Sequence, residues 1–130
     1  MSAIAARPVR VMLAEDSEII RDRLVELLQE AHDIDLVGVA CDAPEASALF
    51  FAVRPDAVIL DIQMPGGSGV DVLDQIKRAD RSCVVVMLTS FAFPELRRRC
   101  LDGGADFFLN KATEFEKVID VLHEMSRDRS

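Results

Sequence analysis

An α/β fold with a parallel sheet is what this sequence predicts, from three observations. Short, unbroken apolar runs recur along the chain, as in Ala57-Val58-Ile59-Leu60 and Val84-Val85-Val86-Met87-Leu88. Stretches with helical spacing of apolar residues separate them. Almost every run ends on a polar or charged residue. Apolar runs bounded by turn signals read as strands buried on both faces. Strand–helix alternation gives parallel strands through right-handed crossovers, with helices covering both faces. All strand carboxyl ends then share one edge, where open α/β sheets bind ligands.

The elements follow in order. Val9 to Ala14 reads as a first strand ending at Glu15-Asp16. From Ser17 to Ala31, Ile20, Leu24, Leu27, Leu28 and Ala31 form one buried stripe of a helix. Leu36 to Ala40 is the second strand. Asp42 caps a helix with Pro44 in its first turn, which runs to about Arg54 before Pro55. The central strand ends at Asp61 and is followed at once by the turn signals Pro65-Gly66-Gly67. Beyond Gly69, Val70, Leu73 and Ile76 face inward from a third helix. Cys83 to Leu88 is a strand ending at Thr89-Ser90, and Pro94 to Leu101 is a helix stopped by Gly103-Gly104. Phe107-Phe108-Leu109 is the fifth strand and ends at Asn110-Lys111. Thr113 to Glu116 reads as a capping box opening the last helix, with Phe115, Val118, Ile119 and Leu122 inward.

Composition narrows the function. The 130 residues are expected to form one domain, 1–130, with its core at about 9–125 and no output domain. The formal charge of −8 argues against direct nucleic-acid binding, which needs basic surface. Arg97-Arg98-Arg99 is the one basic run and reads as a solvated helix face. Three unpatterned cysteines, Cys41, Cys83 and Cys100, imply free thiols and a cytoplasmic location. Residues 1–7 lack secretory character, and no segment is long and apolar enough to insert in a membrane. His32 and His123 read as surface residues rather than metal ligands.

The polar strand ends make a site. Glu15 and Asp16, Asp61, Thr89 and Lys111 must all emerge on one rim. Three carboxylates together repel and need a cation, and oxygen ligands without His or Cys favour Mg²⁺ or Mn²⁺. Mg²⁺ keeps open positions for a phosphoryl group, to which Lys111 offers charge and Thr89 a hydroxyl. The chemistry implied is phosphoryl transfer with Asp61 as the carboxylate nucleophile.

Glu15-Asp16, the segment Asp61-Ile62-Gln63-Met64-Pro65 with Gly69, then Thr89, Gly104-Ala105-Asp106 and Lys111 resemble a response-regulator receiver domain of two-component signalling. The likeness runs from Val9 to about Met125. It implies a flavodoxin-like (βα)5 sandwich with strand order 2-1-3-4-5. It implies that Asp61 accepts phosphate from a sensor histidine kinase or a histidine phosphotransfer protein. Asp16, Asp61 and the Gln63 backbone carbonyl would hold Mg²⁺, with Glu15 acting mainly through bound water. Thr89 would be the switch hydroxyl, Lys111 the phosphate clamp and Phe108 the switch aromatic. The surface of the fourth helix, fifth strand and fifth helix would then regulate a downstream protein. Such a chain is a monomer or weak dimer and a switch rather than an enzyme, turning over only its own phosphoryl group.

Several residues depart from the family pattern. Ala112 replaces the usual proline after the lysine, and a non-proline cis bond costs about 3–4 kcal/mol, so a trans Lys111–Ala112 link is expected. Phe108 lacks the hydroxyl of the commoner tyrosine, which favours an inward rotamer without phosphate. Phe91 is placed to shield the phosphoryl group and Gln63 to orient water, with opposite effects on its lifetime. Phe91, Phe93, Pro94 and Arg97 make either a partner patch or, for the aromatics, core packing, and exposure decides between them.

Three rival readings are set against this one. The chain could be a fragment of a larger regulator. A phosphatase of the haloacid dehalogenase type wants a second Asp two residues after the nucleophile, where Gln63 stands. A flavin module wants a hydroxyl- and glycine-rich loop after the first strand, where Glu15-Asp16 would repel phosphate.

Overall fold

The alternation of apolar runs and amphipathic stretches resolves, in the computed structural model, into one parallel sheet clad on both sides. The structure describes residues 7–128. The lead at residues 1–6, read above as non-secretory, lies outside them. The elements are Val9–Ala14 (β1), Glu18–Glu30 (α1), Ile34–Ala40 (β2), Ala43–Val53 (α2), Ala57–Asp61 (β3), Gln63–Met64 (β4), Gly67–Ser68 (β5), Gly69–Ala79 (α3), Val84–Thr89 (β6), Pro94–Asp102 (α4), Phe107–Asn110 (β7) and Lys117–Asp128 (α5). The main sheet has the order β2-β1-β3-β6-β7, with every pairing parallel. This is the flavodoxin-like order 2-1-3-4-5 once the small β4–β5 hairpin is set aside.

Period-two alternation on the strands divides the core. Met12, Val58, Leu60, Val85 and Met87 point to one face, where Phe50 of α2, Leu73 and Ile76 of α3 and Cys100 of α4 cover them. Val11, Leu13, Ile59, Val86 and Leu88 point to the other, under Leu24 and Leu28 of α1 and Val118 and Leu122 of α5. β3 is buried along its whole length because it has neighbours on both edges and helices on both faces.

Four local expectations need correction. β2 begins at Ile34, not Leu36, because Ile34 pairs with Val9 and packs into the α1–α5 core. In α3 the buried stripe is Gly69, Val72, Leu73 and Ile76, and Val70 is only half-buried, because the helix starts at Gly69 and that spacing faces the sheet. In α1, Leu27 and Ala31 lie at the margin of the stripe. The last helix starts at Lys117 rather than Thr113. A Thr113 capping box needs the Thr113 N–H for a glutamate, but that N–H and the one of Ala112 donate to the Asn110 side chain, at 3.3 and 2.7 Å. Glu114 instead accepts from the Asn110 N–H at 3.1 Å. Phe115 is half-buried, packed on the core edge with Arg23 over its ring. The Lys111–Ala112 bond is trans.

Two glycines shape the segment after β3. Pro65-Gly66 turns the β4–β5 hairpin, with Gly66 at φ +78° where a side chain would be strained. Gly69 opens α3 pressed against the end of β3. A Cβ there would overlap the carbonyl oxygen of Asp61 and crowd the Ile62 Cα. Gly69→Ala, a change that ordinarily favours a helix, is therefore expected to lower the unfolding free energy by about 1–3 kcal/mol in urea titration.

Candidate functional site

The register of the strands brings their ends level. Ala14 of β1 stands opposite Ala40 and Leu60, Asp61 of β3 opposite Leu88, and Thr89 of β6 opposite Asn110. Glu15, Asp16, Asp61, Thr89 and Lys111 therefore rise together from the carboxyl edge, at the point where strand order reverses about β1 and β3. Asp16, Asp61, Gln63, Thr89, Ser90, Phe91 and Lys111 line a cleft of about 130 Å³.

Backbone contacts fix each side chain. Glu15 is buried, its N–H bound to the Ala40 carbonyl, and its Oε2 accepts from the Ser17 N–H at 3.0 Å. Ser17 in turn caps α1. Asp16 is exposed beside it. Asp61 is buried, and its Oδ1 accepts from the Gln63 N–H at 3.3 Å. The Lys111 N–H donates to the Thr89 carbonyl at 2.9 Å, which aims the lysine side chain inward from the end of β7. Its ammonium lies 2.8 and 2.9 Å from the two Glu15 oxygens and 3.2 Å from Asp61 Oδ2.

One ammonium faces several carboxylates, and the site is under electrostatic tension. Carboxylate oxygens of Glu15, Asp16 and Asp61 lie within 4.8 Å of one another. Burial, with the Glu15 charge adding to it, pushes the Asp61 carboxyl up to about 7, against the pull of Lys111. Burial works against the Lys111 charge, but its hydrogen bond to Glu15 and the charges of Asp61 and Glu15 outweigh it and raise its pKa. Buried Glu15 Oε1 touches the ammonium yet has no hydrogen bond of good geometry. An all-oxygen donor set with surplus negative charge and an unsatisfied oxygen suits a hard divalent cation. Glu15, Asp16 and Asp61 are the residues that could hold it.

The other expected residues are also placed. Thr89 is buried, with its Oγ1 accepting from the Phe91 N–H at 3.0 Å. Phe108 is turned into the core under α3 and α4. Phe91 and Phe93 are 44% and 58% exposed, which removes core packing as their role. Pro94 and Arg97 are exposed on α4. His123 is not near the cleft, and its Nδ1 lies 2.7 Å from Asp33 Oδ2. Sequence reasoning missed Arg21, whose guanidinium donates to the Glu15 and Asp16 carbonyls at 3.2 and 3.3 Å. The only signal was its position one turn into the helix that follows the acidic pair.

The Asp61 carboxyl ionises near 3.8 when unfolded but near 7 in the metal-free fold. The folded state holds the proton longer, so stability falls as pH rises from about 4 to about 7 and stays reduced above. Asp61→Asn is expected to raise the unfolding free energy of the metal-free protein by on the order of 2–4 kcal/mol at about pH 8, the gain shrinking toward zero near pH 4. Urea titrations in the presence of a chelator check this.

Known proteins match this arrangement. The family model of the response regulator receiver domain covers residues 11–123. Response regulator protein VraR of Staphylococcus aureus is 31% identical over 122 residues, 94% of this chain and 58% of that protein, so the chain spans little more than half of such relatives. The signal receiver domain of the response regulator NarL from Mycobacterium tuberculosis superposes with a TM-score of 0.85 at 26% identity, covering 95% of this chain and 99% of that one. A CheX–CheY complex with BeF3 and Mg²⁺ from Borrelia burgdorferi superposes with a TM-score of 0.78 at 26% identity, covering 88% and 90%. In sequence and in fold, then, this chain belongs to the family of response regulator receiver domains.

Proposed function

We propose that the protein is a phosphorylation-controlled switch of a phosphorelay and that Asp61 is its phosphoacceptor. The observation that carries this reading is the Lys111 ammonium 3.2 Å from the Asp61 carboxylate, inside a cluster of three carboxylates at the sheet's carboxyl edge. Receiver domains take their phosphoryl group from sensor kinases. Here an Asp61 oxygen attacks phosphorus as the P–N bond of a phosphohistidine breaks. The imidazole nitrogen leaves with the bonding pair, and Asp61 becomes an acyl phosphate. Lys111 neutralises charge on the phosphoryl oxygens, and Thr89 donates its hydroxyl to one of them. Asp16, Asp61 and the Gln63 carbonyl would hold Mg²⁺, with Glu15 supporting it. When bound, Mg²⁺ neutralises and aligns the transferring group.

The response travels along β6 and β7. Thr89 moves toward the phosphoryl group, and its carbonyl is bonded to the Lys111 N–H at the end of β7. Phe108, two positions before Asn110 on the same strand, is buried in the core. Phosphorylation therefore shifts a population between conformers and alters the α4–β7–α5 surface read by a protein partner. A second reading, in which this domain governs the output part of a longer regulator, is favoured by its coverage of 58% of VraR.

Incubation with acetyl phosphate and Mg²⁺ is expected to add the mass of one phosphoryl group to the native protein and none to Asp61→Asn or to chelator-treated protein. Lys111→Ala is expected to slow uptake roughly 10²-fold. A native mass that does not change overturns the reading.

A further inference from the structure

We propose that Asn110 and Glu114 are positioning residues for the Lys111 ammonium: they close a reciprocal hydrogen-bonded staple around the lysine and so set where it meets a phosphoryl group. This rests on the phosphoacceptor reading above.

Lys111 leaves the sheet from β7, an edge strand, and no regular element resumes before Lys117. Its own N–H donates to the Thr89 carbonyl, but the two residues after it, Ala112 and Thr113, are exposed. A lysine stem is long and flexible. Its ammonium stays against Glu15 and Asp61 only if the backbone on both sides of it is held. Where the family carries proline, which would stiffen that backbone, this chain has Ala112 with an N–H to place.

Four hydrogen bonds hold it. Asn110 Oδ1 accepts from the Ala112 N–H at 2.7 Å and from the Thr113 N–H at 3.3 Å, folding the chain back directly beyond the lysine. The Asn110 carbonyl accepts from the Glu114 N–H at 2.8 Å. Glu114 returns the bond, its Oε1 accepting from the Asn110 N–H at 3.1 Å. That N–H alternates away from β6, on the open side of the sheet. Glu114 is itself anchored, with Oε2 3.0 Å from the Lys117 ammonium at the start of α5. Its carboxyl is held below the usual range first by Lys117 and then by the Asn110 N–H. Lys111 thus sits inside a loop whose ends are bonded to each other, with its side chain 11% exposed in the cleft.

The staple belongs to one bank of the cleft. The carboxylates that could hold a cation come from the ends of β1 and β3, whereas the phosphate clamp comes from the end of β7. Loosening the staple therefore separates two properties of the site. The clamp weakens, but the metal loses only a competing positive charge beside Glu15 and Asp61, so metal affinity holds or rises.

The test titrates the isotope-labelled full chain with Mg²⁺ alone, and with beryllofluoride at saturating Mg²⁺, each followed by amide shifts. Asn110→Ala is expected to weaken beryllofluoride affinity about tenfold and to leave Mg²⁺ affinity unchanged or tighter. Asn110→Asp, which keeps the accepting oxygen, is expected to restore most of the beryllofluoride affinity. Glu114→Ala is expected to act as Asn110→Ala does, whereas Glu114→Gln, which keeps Oε1 and loses only the charge, stays near the native protein. Unchanged beryllofluoride affinity, parallel weakening of Mg²⁺ and beryllofluoride, or Asn110→Asp no better than Asn110→Ala overturns the positioning role. Should Asn110→Ala fail to fold, the two Glu114 variants make the same decision. Beryllofluoride that perturbs nothing in the native protein sinks the phosphoacceptor reading instead. The Lys111 ammonium nitrogen signal of the metal-free protein then decides the positioning role alone: it moves to the place of an exposed lysine in Asn110→Ala if the role holds, and stays at its native place if it does not.

Discussion

Two of the three carboxylates gathered within 4.8 Å of one another at the end of this sheet are buried, and water does little to reduce their repulsion. The Lys111 ammonium is what makes the arrangement tolerable. It touches both Glu15 oxygens and one of Asp61. To deliver it, β7 must pair with β6 in a register that carries Lys111 to the Thr89 carbonyl. The loop beyond must then turn without proline, which the Asn110 side chain achieves by taking the next two N–H groups. On the opposite bank, Arg21 and Ser17 hold the Glu15–Asp16 backbone and the Glu15 carboxylate.

The compensation is incomplete, and the residual tension suits the site to its task. Burial and the Glu15 charge, only partly offset by the single Lys111 ammonium, push the Asp61 carboxyl up to about 7 without metal. A divalent cation relieves that tension, and its open coordination positions invite a phosphoryl group. The cleft is small and stands on strands packed between two cores, so the scaffold yields little when charge arrives there. What can yield is the loop after β6. It is held to the cleft by the Thr89–Phe91 hydrogen bond and exposes both of its phenylalanines.

Much of the local structure was legible because it depends on short-range patterns. Apolar runs marked four of the five main strands to within one residue, and the Asp42 cap with Pro44 marked the start of α2. Where two local patterns competed, the sequence misled. Thr113 to Glu116 has the pattern of a capping box, but Asn110 takes the N–H that the box requires. In α3, Val72 is fully buried while Val70, two residues before it, packs half-buried against the same core.

By itself the sequence determined the strand–helix alternation, and with it that Glu15, Asp16, Asp61, Thr89 and Lys111 share an edge. The reason is that apolar periodicity and turn chemistry act between near neighbours in the chain. Only the tertiary structure decided that Lys111 divides its charge between Glu15 and Asp61, that Arg21 faces the acidic backbone rather than solvent, and that Phe91 and Phe93 stack outward instead of filling the core. Each of these depends on distances between segments far apart in the chain or on space left by the packed sheet. No spacing of residues along one dimension encodes such quantities.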